Sequence, residues 1–236
     1  MIKKFLEFFP LFLPQAFFLY PTKEKEDRIE SLQRTVRNRI VHSMDLRLTN
    51  QADLTGSLLV SAPSLLDPNF RRTIIFLTHH EVEEGALGVI LNRPSGRTLG
   101  ELTESPDGLK DVPVFEGGPV ELQHLLLARI LLMGNGARFE SFVEEEKNVL
   151  IPDASKSNSM SDIQGFRAFA GYAGWSAGQL ENEIKEKSWL ILPPTAPLLK
   201  AVNTLEEGVA SWRSIMRELG PLYRLLAEAP DDLSLN

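Results

Sequence analysis

Cysteine is absent from the 236-residue chain. That single absence excludes disulfides, thiolate metal sites and cysteine nucleophiles together. Positive charge is also short. Lys and Arg number 25 against 32 Asp and Glu, a formal net charge of −7. A protein whose main business is gripping nucleic-acid backbones usually shows a basic footprint, so direct nucleic-acid binding is not expected, although a local basic patch is allowed. Several catalytic signatures are missing as well. There is no G-x-S-x-G elbow, no G-x-x-x-x-G-K-S/T phosphate loop and no G-x-G-x-x-G turn. The four histidines, His42, His79, His80 and His124, show neither H-x-x-x-H nor H-E-x-x-H spacing. Long hydrophobic runs are lacking too. The apolar stretch FLEFFPLFLPQAFFLY (Phe5–Tyr20) is broken by Glu7, Pro10 and Pro14, whereas a spanning helix needs about 20 apolar residues. No small-residue cleavage site follows it. The expectation is a cytoplasmic protein with no membrane span.

What is present suits a globular domain. Hydrophobic residues make up 43% of the chain and charged residues 24%, enough for a sizeable core in one large domain. The composition breaks near the start. Residues 1–43 hold eight basic and five acidic residues, a local charge of +3, and six of the 13 Phe. The remaining 193 residues hold 17 basic and 27 acidic side chains, a charge of −10. Ile29, Leu32, Val36 and Ile40 form one helical stripe within residues 24–43. We read 1–43 as an extension, flexible or even untranslated because Met44 offers a second start, and 44–236 as a single domain.

From Met44 the punctuation is that of one mixed α/β body. Gly56–Ala62, Arg72–Thr78, Ala86–Leu91, Val112–Glu116, Phe166–Tyr172 and Trp189–Leu192 are short aliphatic or β-branched runs bounded by turn residues, and read as strands. The first three are too apolar to alternate, which predicts cover on both faces. His79–Gly85 reads as a charged hairpin loop, with His79 and His80 solvated rather than metal-bound. His124–Met133 fits a buried helix or a buried strand. Asn135–Asp162 is polar, with Lys156–Ser161 a mobile loop. Three capping-box spacings, Thr98–Glu101, Ser176–Gln179 and Thr204–Glu207, should open helices. Behind the last, Val209, Trp212, Met216 and Leu219 form a buried stripe stopped by Gly220-Pro221, and a short helix surrounds Tyr223–Ala227. Glu181–Lys185 and Glu183–Lys187 are i,i+4 pairs in the favourable order.

Three clusters are candidate sites. Asn92-Arg93-Pro94 follows a strand, where polar loops of α/β sheets tend to carry function, and Arg93 suits a carboxylate or phosphate as well as a structural ion pair with Glu116. Glu116-Gly117-Gly118-Pro119 would form either an anion-binding nest or a tight turn. Gly171–Trp175 running into Ser176-x-x-Gln179 and Glu181 would form a ligand platform at a helix start, or simply a folding element with Trp175 in the core. Adjacent acids such as Glu83-Glu84 and Glu144–Glu146 read as solvated faces. No catalytic set, metal set or cofactor is expected.

Together these motifs resemble the YqgE/AlgH family. The resemblance rests on GSLLVSAP (Gly56–Pro63), DPNF (Asp67–Phe70), EGALGVILNRP (Glu84–Pro94) and FEGGPV (Phe115–Val120). It rests above all on GYAGWSAGQLENEI (Gly171–Ile184) followed by Trp189, and on the terminal PDDLSLN. It spans Met44 to Asn236. It implies an α+β fold, a branched mixed sheet that includes a small barrel and is surrounded by helices, and so makes His124–Met133 a strand. One departure is Leu125–Arg129, where the family carries a Gly-Phe/Tyr-Val-Leu-His-like strand. The family carries a transcriptional-regulator label without an established activity. The functional expectation is a binding or regulatory module using a cleft near Asn92–Pro94, Gly117–Pro119 and Trp175–Glu181, with a protein or small-molecule partner. The alternative is a transcriptional regulator acting on DNA directly or through a partner.

Overall fold

The strands form because short β-branched and aliphatic runs alternate between two buried faces. A computed structural model describes residues 53–105, 107–133, 136–142, 144–145, 148–149 and 165–228. These lie within one compact unit, Arg37–Asn236. The extension 1–43, the Met44 start, the Lys156–Ser161 segment and the PDDLSLN tail lie outside the described residues.

The main sheet has nine strands. They are β1 (Leu58–Ser61), β2 (Ile74–Glu81), β3 (Gly85–Ile90), β4 (Pro94–Thr98), β5 (Pro113–Glu116), β6 (Val120–Met133), β7 (Gly136–Phe142), β10 (Phe166–Trp175) and β11 (Trp189–Leu192). Two short strands, β8 (Glu144–Glu145) and β9 (Asn148–Val149), pair separately. Five α-helices are described: α1 (Leu99–Leu102), α2 (Gln179–Lys185), α3 (Ala196–Leu199), α4 (Leu205–Leu219) and α5 (Pro221–Glu228). The class is α+β, and the mixed sheet curls into a half-barrel.

β10 is the branch point. Its first half runs parallel to β5, pairing Ala168 with Val114 and Ala170 with Glu116. Its last three residues run antiparallel to β3, pairing Ala173 with Gly88 and Trp175 with Ala86. β6 follows the other edge from Phe166 to Tyr172, with a register shift between Ala170 and Tyr172. Gly171 sits in that shift at φ 71°, a left-handed conformation that side chains resist. One glycine bulge thus lets a single strand change neighbours.

Both faces of the sheet are covered, as the unbroken apolar runs predict. Leu58, Val60, Ile74, Phe76, Val89, Leu190 and Leu192 pack with Phe115, Phe169 and the Trp212, Ile215 and Met216 stripe of α4. Leu59, Ile75, Leu77, Ile90 and Ile191 face the other way, toward Ala173, Trp175, Leu180 and Trp189. A smaller cluster joins Leu99 and Leu109 to Val112, Val114 and Phe166.

Several expectations hold. His124–Met133 lies within strand β6. Thr204 Oγ1 accepts from the Glu207 N–H at 3.1 Å and opens α4. The Glu207 carboxylate reaches one residue further back than a strict box, to the Asn203 N–H at 2.8 Å. At α1 the Glu101 carboxylate accepts from the Thr98 N–H at 3.0 Å.

Others need correction. His79 and His80 belong to strand β2, not to a loop, because β2 continues to Glu81 and the hairpin turn is only Val82–Glu84. Residues 136–142 form strand β7 rather than irregular polar chain, paired along β6 from Gly136 to Phe142. Ser176 does not cap α2. Gly178 is the N-cap and no side chain caps it.

Candidate functional site

The structure sorts the eight candidate residues into two groups along β10. Asn92, Arg93, Glu116, Gly117 and Gly118 lie beside the bulge at Gly171. Trp175, Gln179 and Glu181 lie at the strand's far end, about 13 Å away at the usual rise per residue.

In the first group the side chains of Asn92 and Arg93 are committed to the fold. Asn92 is buried. Its Oδ1 accepts from the Ile74 N–H at 2.8 Å, and its Nδ2 donates to the carbonyls of Arg72 at 2.9 Å and Gly208 at 3.0 Å. This one amide ties β2 to the first turn of α4. Arg93 donates to the carbonyls of Asn69, Pro68 and Arg71 at 2.8, 3.1 and 3.2 Å. Burial pulls its guanidinium below the ordinary arginine value, with Arg71 adding to the effect and Glu116 and Asp67 opposing it. Glu116 is exposed and donates its backbone N–H to the Arg93 carbonyl at 2.9 Å. Gly117 and Gly118 are buried because backbone approaches backbone there. A Cβ on Gly117 would stand 2.2 Å from the Gly171 carbonyl oxygen, and one on Gly118 would stand 2.1 Å from the Tyr172 carbonyl carbon. The Gly117 N–H is spent on the Ala170 carbonyl at 2.8 Å. Close strand packing therefore accounts for this pair.

The loop that Arg93 holds delivers Phe70 to the second group. Phe70 packs on Trp175 at 6.2 Å between ring centroids and meets Trp189 edge-on at 5.7 Å. The two indoles meet edge-on at 5.8 Å. Both indole N–H groups donate to one oxygen, Glu183 Oε2, at 2.9 and 2.7 Å. Its other oxygen accepts from Gln179 Nε2 at 2.9 Å. The Gln179 side-chain oxygen accepts from the Ser176 N–H at 3.1 Å, which is one arm of a capping box. Gln179 is otherwise exposed.

Glu181 turns to His80. The imidazole is buried, and its Nε2 lies 2.7 Å from Glu181 Oε1. The Leu54 N–H can only donate, and it reaches His80 Nδ1 at 3.1 Å. Nδ1 is therefore the acceptor, and Nε2 carries the proton given to the carboxylate. Both ring nitrogens are in use, so the imidazole has no free lone pair for general-base work. Glu181 and Glu183 thus face inward to His80 and the two indoles, in place of the helix-surface pairings with Lys185 and Lys187 that their spacing suggests.

Four important residues escaped the sequence reading. His80 reads as loop from the sequence, and a register shift between Leu77 and His79 breaks the period of two just before it, so alternation along β2 does not announce its inward turn. Glu183 joins two tryptophans that lie eight residues before it and six after, a spacing without a periodic signature. Gly208 lies in the first turn of α4, where a Cβ would stand 2.0 Å from the Asn92 carbonyl oxygen. Arg167 on β10 is buried over the Phe115 ring at 5.6 Å, and donates to the Leu199 carbonyl. Desolvation pulls its guanidinium down to about 10.

The outward positions of β10 differ. Tyr172 and Gly174 are half-buried and point away from the tryptophan cluster. Leu87, paired with Gly174, is 43% exposed. Val120, paired with Tyr172, is 37% exposed, and Leu122 over Gly171 is 61% exposed. An open depression of about 480 Å³ lies beside α1, lined by Gly100–Ser105 and Lys110. None of the eight candidate residues lines it.

Comparison with known proteins gives a consistent result. The AlgH-like family model matches residues 58–224. A UPF0301 protein of Streptomyces coelicolor is 35% identical over 197 residues, covering 80% of this chain and 98% of that protein. One from Mycolicibacterium smegmatis is 34% identical over 191 residues, covering 77% and 90%. Among solved structures, the AlgH protein of Pseudomonas aeruginosa is similar with a TM-score of 0.52 and 27% identity, over 77% of this chain and 97% of that one. A Corynebacterium diphtheriae protein shares the fold, with a TM-score of 0.51 and 22% identity over 76% and 94%.

Proposed function

We propose that this chain, which belongs to the AlgH-like family, is a cytoplasmic, non-catalytic binding module that presents the outward face of β10 to a protein partner. One observation carries this reading. Around the candidate site, the side chains that catalysis would recruit are consumed by internal hydrogen bonds: both nitrogens of His80, the amide of Asn92, the guanidinium of Arg93 and both oxygens of Glu183. The outward positions beside β10 bring together Leu87, Tyr172, Val120 and Leu122 around the small residues Gly171 and Gly174. Exposed Glu116 and Gln179 lie near the two ends of that strip and suit its polar rim. No helix among the described residues is long and apolar enough to cross a membrane.

The test uses the full-length protein as bait in native extract, with bound proteins identified by mass spectrometry. A partner retained by wild type should be lost by Leu87→Glu and by Tyr172→Ser, while both variants melt with wild type. A partner held equally by both variants would move the surface elsewhere. The direct DNA reading is tested in parallel. A body of charge −10 should not hold a random duplex at sub-micromolar concentration in about 150 mM salt. Such binding would replace the module reading with the transcriptional one.

A further inference from the structure

The β2–β3 hairpin carries a group of donor side chains at the border of the β10 strip, where His79 is the cross-strand partner of Leu87. His79 and Glu81 stand two residues apart on β2 and so share one face of that strand. Glu84 comes back across the turn, which the Glu84 N–H closes onto the Glu81 carbonyl at 3.1 Å. A register shift between Leu77 and His79 sets the phase of the strand end. His80 points inward to Leu54 and Glu181, and His79 points outward, with 44% of its side chain exposed.

One donor atom each from His79, Glu81 and Glu84 lies within 4.8 Å of the others. His79 Nε2 is 3.8 Å from Glu84 Oε2. Ligands held about 2.1 Å from a common ion stand about 3–4 Å apart, so these side chains need only small rotations to close on one. The local field is negative as well. Glu83 lies between the ligands in the turn. An imidazole nitrogen with two carboxylates suits a divalent first-row ion rather than a soft monovalent one.

We propose that His79, Glu81 and Glu84 bind a divalent transition-metal ion, of the chemistry of Zn²⁺, at the tip of the β2–β3 hairpin, with its remaining positions open to water. The ion would neutralise two carboxylates that face each other across a tight turn, and would fasten the two strand ends together. This site does not depend on the partner-binding reading, because none of its ligands belongs to the β10 strip.

Titration calorimetry of Zn²⁺ into untagged full-length protein tests it. The expected result is one ion per chain with a micromolar dissociation constant. His79→Ala should abolish that binding, and Glu84→Gln should weaken it about tenfold or more. All three ligands are on the surface, so thermal melts of the metal-free variants should coincide with wild type. His124→Ala is the control. That exposed imidazole sits 2.9 Å from Glu121 on β6, and its loss should leave the affinity unchanged. Millimolar binding, or binding that His79→Ala leaves intact, would overturn the proposal and leave an adventitious ion only.

Discussion

The two faces of β10 are built from alternate residues of one run, yet they are governed by different physics. Inward, Ala173 and Trp175 join a cluster in which every hydrogen-bonding group of the tryptophan pair meets a partner on α2. Outward, Tyr172 and Gly174 meet exposed Leu87, and Val120 and Leu122 lie near the bulge at Gly171. The inner face spends unusual residues on stability. The outer face leaves ordinary ones for recognition. The lesson is that the most distinctive stretch of the sequence, Gly171 to Ile184, is distinctive because several chemically demanding contacts are packed behind it.

The sharpest way to break this comparison is to empty the inner face. Trp175 is buried between Phe70, Trp189 and the Glu183 carboxylate. Trp175→Ala should cost about 3–5 kcal/mol, the range of large aromatic truncations in cores, read from denaturant melts. If the variant is as stable as wild type, the inner face is not the keystone, and Trp175 becomes a recognition residue with Gln179 and Glu181.

A second test separates charge from hydrogen bonding at the hub. Glu183→Ala leaves two indole N–H groups without their acceptor, and should cost about 1–3 kcal/mol. Glu183→Gln retains a carbonyl oxygen and should recover much of that loss. Equal losses in both variants would mean that the negative charge, and not the accepting oxygen, organises the pair.

The same contrast explains what the sequence could disclose. Strands were legible wherever burial on both faces made runs continuous, as in Leu58–Ser61 and Trp189–Leu192. Trp175 was legible as a core residue, because a large aromatic ahead of a helix has few other uses. The branching of β10 was not, since parallel and antiparallel neighbours leave the same apolar signature on a strand. Asn92 and Arg93 were visible as unusual, but their partners are mostly backbone carbonyls, which every sequence contains. Backbone–backbone approach likewise hid the reason for Gly117 and Gly118. The positive φ before α2 falls at Gly178, and the one in the β10 bulge at Gly171, positions that no local pattern singles out among the glycines of this stretch. His80 and Glu181 stand 101 positions apart, and no local pattern announces such a pair.

The smallest expected effect is at the edge of the inner face, and it distinguishes a real cap from a resemblance to one. The spacing Ser176-x-x-Gln179 suggests a reciprocal box, in which loss of the serine hydroxyl costs about 1 kcal/mol. In the structure the helix starts after Gly178, at φ 72°, without a side-chain cap. Ser176 lends only its backbone: its N–H donates to Gln179 Oε1, and its carbonyl accepts from the Gln179 N–H at 2.9 Å. Ser176→Ala keeps both bonds and should shift stability by less than about 0.5 kcal/mol, the range of ordinary surface changes. Gln179→Ala removes the bond from Ser176 and the one to Glu183, and should cost about 1 kcal/mol. Urea midpoints of the two variants read the difference directly. A Ser176→Ala loss as large as that of Gln179→Ala would put the hydroxyl back at the helix start and move the N-cap two residues upstream, to Ser176.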